Sequence, residues 1–89
     1  MEKDIKKRLL RRLKILGGQV RGLQKMVEDE EYCVDIICQS LAAKEALSSA
    51  EDLILENHLA THVSDQIRAG DKARVIKEIL TIYKLSKRK

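Results

Sequence analysis

Residues 32–69 read YCVDIICQSLAAKEALSSAEDLILENHLATHVSDQIRA, thirty-eight positions without a proline or a glycine. Nothing in this stretch removes a helical hydrogen bond or loosens the backbone, so it predicts one long helix. At 1.5 Å per residue such a helix is roughly 57 Å long. An 89-residue monomer has no core of that length, and oligomerisation is the usual remedy in so small a chain. Ala42, Ala43, Ala46, Ser48, Ser49 and Ala50 cluster near its midpoint. Small side chains let helices approach, which predicts a crossing or a dimer axis there. Gly70 supplies a stop and Asp71 an N-cap for the next helix.

Two further helices flank it. Residues 4–27 carry Ile5, Leu9, Leu13, Leu16, Val20, Leu23 and Val27 at steps of three or four. Gly17-Gly18 predicts a kink, or a close approach by another backbone. Glu28-Asp29-Glu30-Glu31 reads as a turn. Residues 72–86 place Val75, Ile76, Ile79, Leu80 and Tyr83 on one side, and the tail Lys87-Arg88-Lys89 is expected to fray. With no Pro, Phe or Trp and two Tyr, the composition also favours helices over sheets. The expectation is an all-α, three-helix protomer forming a single domain over residues 1–89. No apolar run is long enough to span a membrane and the start lacks a signal-peptide core, so a cytoplasmic location and no membrane partner are expected. In such a setting two cysteines are thiols or ligands rather than a disulfide framework.

Charge is distributed in blocks. Residues 1–25 carry +7, residues 26–66 carry −9 and residues 67–89 carry +6, giving the net +4. A polyanion would meet the ends rather than the middle. The same distribution also fits an ordinary solvated surface.

The chemistry-bearing residues are Cys33, Cys38, His58 and His62. The two histidines are four apart and share a helix face, so they could hold one metal ion. A zinc finger does not fit: 19 residues separate Cys38 from His58, against about 12 in the usual motif. The cysteines also lie in helix-forming sequence, and Cys38 reads as a core thiol. At 100° per residue, Cys33 projects between His58 and His62 to within about 20° on either side. Along the axis it is roughly 38 and 44 Å from them. One intact helix cannot close this site, but an antiparallel second copy can. A two-fold axis near Ala46 and Leu47 sets Cys33 of one chain against His58 and His62 of the other, and sets Lys44 against Glu51. This makes a homodimer with two equivalent sites.

Several segments resemble the copper-sensitive operon repressor family, the CsoR/RcnR type. Residues 12–23, RLKILGGQVRGL, resemble its R-L-x-R-x-x-G-Q-x-R-G signature. Tyr32-Cys33 with Asp35, Gln39, Ala42-Ala43 and Glu56-Asn57-His58-Leu59 add to the likeness. One departure is Lys14, at a position where the family often has Arg. The resemblance implies an antiparallel four-helix-bundle dimer, a dimer-of-dimers homotetramer, and repression of metal-detoxification genes that is relieved by the ligand. It implies metal ligands Cys33, His58 and His62, with Tyr32 and Glu78 as outer partners. Copper sensors of the family usually have Cys where this chain has His62. Nickel and cobalt sensors use Cys, His and His, often with a further N-terminal His that is absent here. Cu(I) is favoured on family grounds, and Ni(II), Co(II) and Zn(II) are compatible with one thiolate and two imidazoles. Persulfide and formaldehyde sensors of the same family are the alternatives. His62 in place of Cys argues against the first, and Glu2 in place of Pro against the second.

No helix-turn-helix is recognisable. The resemblance places double-stranded operator DNA on a basic face, with Arg12, Lys14 and Arg21 as contacts and Lys7, Arg8 and Arg11 on phosphates. A salt bridge from Arg21 to the acidic middle is the competing use of that side chain. A helical scaffold or metal-buffering protein without a DNA role is a further alternative. No nucleophile, acid–base or phosphate-loop constellation points to an enzyme.

Overall fold

A computed structural model describes residues 1–87; Arg88 and Lys89, part of the tail expected to fray, lie outside the described residues. The elements are α1 (Lys3–Glu28), α2 (Cys33–His58), a π-helical turn (Leu59–Val63), α3 (Ser64–Arg68) and α4 (Lys72–Ser86). There is no strand among the described residues, so the all-α expectation holds. The long second helix is present as α2, the π turn and α3 in direct succession. The chain falls into two compact units, Met1–Leu55 and the residues from Glu56 onward.

In the first unit α1 and α2 form an antiparallel hairpin. Leu9 of α1 packs with Ala50 and Leu53 of α2, and Ile5 lies against this cluster. Ala43 and Ala50 are buried, and Ala46 and Ser49 are half-buried. Part of the small-residue cluster therefore serves contact within the protomer, while Ala42, Leu47 and Ser48 stay exposed. The inward row of α1 is Ile5, Leu9, Arg12, Leu16, Gln19, Leu23 and Met26. These steps of four and three are a heptad seam. Leu13, Val20 and Val27, expected on the same stripe, form an exposed second row beside it. The sequence pattern merged two neighbouring apolar rows, because a 3.6-residue period cannot separate them over so wide a face.

Gly17 and Gly18 do not interrupt α1, which runs through both. A side chain at Gly17 would meet the Arg21 guanidinium at 3.4 Å, and one at Gly18 would meet it at 3.8 Å. Both distances are ordinary contacts with the end of a flexible side chain, and no other backbone of the unit approaches either glycine within 4 Å. The turn after α1 is a Schellman motif: Glu31 N–H donates to Met26 carbonyl (3.0 Å) and Glu30 N–H to Val27 carbonyl (3.1 Å). Glu30 takes the left-handed position, φ 52°.

The second unit ends α3 the same way. Asp71 N–H donates to Gln66 carbonyl (2.8 Å), Gly70 N–H donates to Ile67 carbonyl (3.0 Å), and Gly70 has φ 79°. Asp71 occupies the N-cap of α4, but its side chain makes no capping bond. Val63 and Val75 are buried in this unit. Ile76, Ile79, Leu80 and Tyr83, expected to share a core face with Val75, are all exposed.

Candidate metal centre

His58 and His62 are positioned by the junction between α2 and the π turn. Shifting bonds from i+4 to i+5 leaves carbonyls underused. Thr61 Oγ1 donates to the Asn57 carbonyl at 2.7 Å, and Ser64 Oγ approaches the Leu59 carbonyl at 3.5 Å. These hydroxyls satisfy the backbone where the ladder changes. Such turns recur at functional sites, and nothing in the apolar pattern marks this one.

The two rings meet edge to face, with centroids 5.3 Å apart, and their Nδ1 atoms are separated by 3.3 Å. Nε2 of His58 lies 3.6 Å from Glu78 Oε2 on α4, a charge contact longer than a hydrogen bond. With the His58 proton on Nε2 facing this carboxylate, His58 Nδ1 accepts and His62 Nδ1–H donates. Glu78 is held in place by Arg74, one turn earlier, whose Nε donates to Oε1 at 3.0 Å. The Arg74 hydrogen bond and charge, helped by the neighbouring His58, hold the Glu78 pKa below the ordinary 4.5 against the opposing pull of desolvation. The carboxylate is therefore ionised at neutral pH. Arg74 is shifted upward by the same bond. His58, His62, Asp65, Gln66, Arg74 and Glu78 line one open cleft.

The remaining sequence candidates lie in the first unit. Cys33 opens α2 and is exposed, as is Tyr32 before it. Cys38, expected in the core, is exposed too. It lies five residues after Cys33, about 140° around the helix, and only the side of α2 facing α1 is covered. Among the described residues, no three His, Cys, Asp or Glu side chains converge on a metal position. Lys7, Arg8, Arg11, Lys14 and Arg21 are exposed. Arg12 is half-buried, and its Nη1 donates to the Ser49 carbonyl (2.8 Å) and Oγ (3.1 Å). It clamps α1 to α2. Both salt bridges among the described residues involve Glu78, so Arg21 forms none with the acidic middle.

Residues 5–84 match the family described as metal-sensitive transcriptional repressor. The chain belongs to this family. It is 42% identical over 83 residues to the copper-sensing transcriptional repressor CsoR of Bacillus subtilis, covering 93% of this chain and 79% of that protein. It is 33% identical over 81 residues to CsoR of Mycobacterium tuberculosis H37Rv, covering 91% and 68%. The crystal structure of the copper-sensing repressor CsoR with Cu(I) from Geobacillus thermodenitrificans superposes with a TM-score of 0.90 at 36% identity, covering 99% of this chain and 92% of that one. Like its family, the chain is a metal-responsive repressor that acts on DNA, and it is not an enzyme. No described helix is long and apolar enough to cross a membrane.

Counting the family signature from Gly18-Gln19 places its second Arg at Ile15, an exposed apolar residue. The departure is thus Ile15, and Lys14 stands at an unrestricted position. Arg74 and Gln66 escaped the sequence reading. Arg74 was accessible to it as an i, i+4 partner of Glu78, whereas Gln66 carries no signal until the cleft is seen.

Proposed function

We propose that this protein binds double-stranded operator DNA when metal-free and releases it when Cu(I) is held by His58 and His62 of one subunit and Cys33 of another. One observation carries the reading: two imidazole Nδ1 atoms converge to 3.3 Å, and the described residues of one chain complete no third donor. Two nitrogens each about 2.0–2.1 Å from one ion can be up to about 4.1 Å apart, so the 3.3 Å separation is within the span of one shared ion. Cu(I) tolerates three soft or borderline donors, while Ni(II), Co(II) and Zn(II) call for a further one. The copper-sensing relatives support the same choice.

The missing thiolate comes from an antiparallel copy of the long helix. The stripe of α2 that carries Cys33, Lys44, Leu47 and Glu51 is exposed, together with Ile37, Leu41 and Ile54. Leu13, Val20 and Val27 form a further exposed apolar row on α1. Dimers formed there pair into a homotetramer, and residues 1–89 act as one sensor domain within it.

A bound metal would supply a Lewis-acidic centre at the ring nitrogens of His58 and His62. Glu78 faces His58 Nε2 and would orient that ring as an outer partner. Glu78 and Arg74 both sit on α4, so that helix receives the signal. Lys7, Arg8, Arg11, Lys14 and Arg21 contact phosphate, with Arg12 contributing only what its clamp leaves free. Tyr32 adjoins Cys33 as its outer partner. Metal and DNA weaken each other by the same factor.

Fluorescence anisotropy on operator DNA, with anaerobic Cu(I) titration, tests the scheme. Cys33→Ala should bind the DNA as the parent does and remain bound when Cu(I) is added. Release by that variant at parental Cu(I) levels removes the thiolate from the mechanism. Competition by Ni(II), Co(II) and Zn(II), followed by d–d and thiolate charge-transfer bands, identifies the metal.

A further inference from the structure

Helix α1 has an outer row turned away from α2. At 100° per residue, Lys7, Arg11, Lys14, Gly18, Gly22 and Lys25 fall within an arc of about 80°, and Arg21 lies about 20° beyond its edge. Every position of this row is a base or a glycine. The bases and Gly18 are exposed, and Gly22 is half-buried. Long side chains therefore stand on either side of a notch at Gly18 and Gly22. Glycine is unfavourable inside a helix, and packing within the chain calls for neither of these two. A side chain at Gly22 would meet nothing within 4 Å, and one at Gly18 would meet the end of Arg21 at 3.8 Å. The same guanidinium lies 3.4 Å from where a side chain at Gly17 would begin. It rests along the floor of the notch, and no salt bridge among the described residues engages it.

We infer that this notch seats the sugar-phosphate backbone of the DNA duplex, with Gly18 and Gly22 as positioning residues that let a phosphate reach the Arg21 guanidinium, and with Lys25 as a further phosphate contact. The inference rests on α1 carrying the bases that meet DNA. The row from Lys7 to Lys25 is about 27 Å long. A duplex strand presents a convex ridge, and a straight row of long side chains follows it only where the middle of the row is cut low. A planar guanidinium on that low floor offers paired donors to phosphate oxygens. The bases on either side add charge without reading sequence. The other occupant that a glycine notch admits is a second copy of the chain. A copy presenting the same row would set cation against cation, which disfavours it. DNA is the partner whose charge and shape both fit.

The test uses the metal-free, full-length protein and a duplex that the parent selects from a random-sequence pool, with binding read by anisotropy across a salt series. Gly22→Gln adds bulk without charge and should weaken binding about tenfold or more, the loss of one bond to a charged group. Gly18→Ala combined with Gly22→Ala should also weaken binding, yet raise the melting temperature, because alanine favours the helix. Lys25→Gln should lower the magnitude of the salt slope by about one. Oligomer mass in sedimentation and Cu(I) affinity without DNA should stay parental in the glycine variants. Parental DNA affinity in Gly22→Gln, a lower melting temperature in the double alanine variant, or a changed oligomer mass would each overturn the inference, the last by giving the notch to a second copy. An unchanged slope in Lys25→Gln removes Lys25 from the interface. Arg11→Gln combined with Lys14→Gln is the control for the underlying reading. Parental binding there, or no duplex selected at all, overturns the basic face and the notch together, whereas weaker binding there with none lost in Gly22→Gln overturns the notch alone.

Discussion

Cys33 and the histidine pair belong to the same predicted helix, yet their surroundings differ. Cys33 is exposed on the first turn of α2. His58 is half-buried, faces His62 through one ring nitrogen, and faces an ionised, Arg-held Glu78 through the other. One end offers a bare donor and the other a furnished receptor. Under the proposed function, the contrast means that each protomer carries two halves of different sites rather than one whole site.

Mixed oligomers break this comparison most directly. Cys33→Ala and His58→Ala homo-oligomers should both lose high-affinity Cu(I) binding. A heterodimer of the two should recover one site of two, because one chain still supplies Cys33 and the other still supplies both histidines. Cu(I) stoichiometry on the purified heterodimer measures this, and zero recovered sites would rule out sharing between chains.

The next effect concerns the inner side of α2, which holds the donor helix in place. Leu53→Ala should cost about 2–5 kcal/mol in chemical denaturation, as for other buried leucines. Cys38→Ser, on the exposed side, should shift stability by no more than about 0.5 kcal/mol.

Glu78→Gln sharpens the account of the furnished end. It should weaken metal binding about 10- to 100-fold, as loss of an outer partner does elsewhere. It should also reduce the coupling between Cu(I) and DNA, read as the ratio of DNA affinities with and without metal. A full ratio would show that α4 does not carry the signal.

Arg12 and Arg21 separate clamp from contact. Arg12→Met should lower stability by about 1–2 kcal/mol through loss of its bonds to Ser49. Arg21→Met should leave stability nearly unchanged and lower the salt dependence of DNA binding by about one phosphate contact. The smallest effect tests the antiparallel register. Reversing either Lys44 or Glu51 should weaken the dimer by up to about 1 kcal/mol, and the double swap should restore it. No coupling in sedimentation equilibrium would count against a two-fold axis at Ala46 and Leu47.

The two Schellman turns show why some of the fold was legible and some was not. Gly70 announced its turn, since glycine adopts positive φ without cost. Glu30 makes the same turn with a residue that rarely does so, and only the absence of apolar residues around it marked a break. Similarly, the spacing of Cys33, His58 and His62 was readable because helix geometry is regular. The π turn was not, because it arises where backbone bonds shift register and nearby hydroxyls absorb the change.

The sequence by itself determined an all-helical chain, its three helical regions, the separation of Cys33 from the histidine pair along the chain and the membership of a repressor family. These depend on local periodicity, on breakers and on residue identity, all of which act over a few residues. Tertiary structure alone decided which of two apolar rows on α1 faces inward, that Arg12 is a clamp, that Cys38 is exposed, and that Glu78, Arg74 and Gln66 gather around the histidines. Those outcomes depend on which surfaces meet across distant parts of the chain, and periodicity within one helix carries no record of its neighbour.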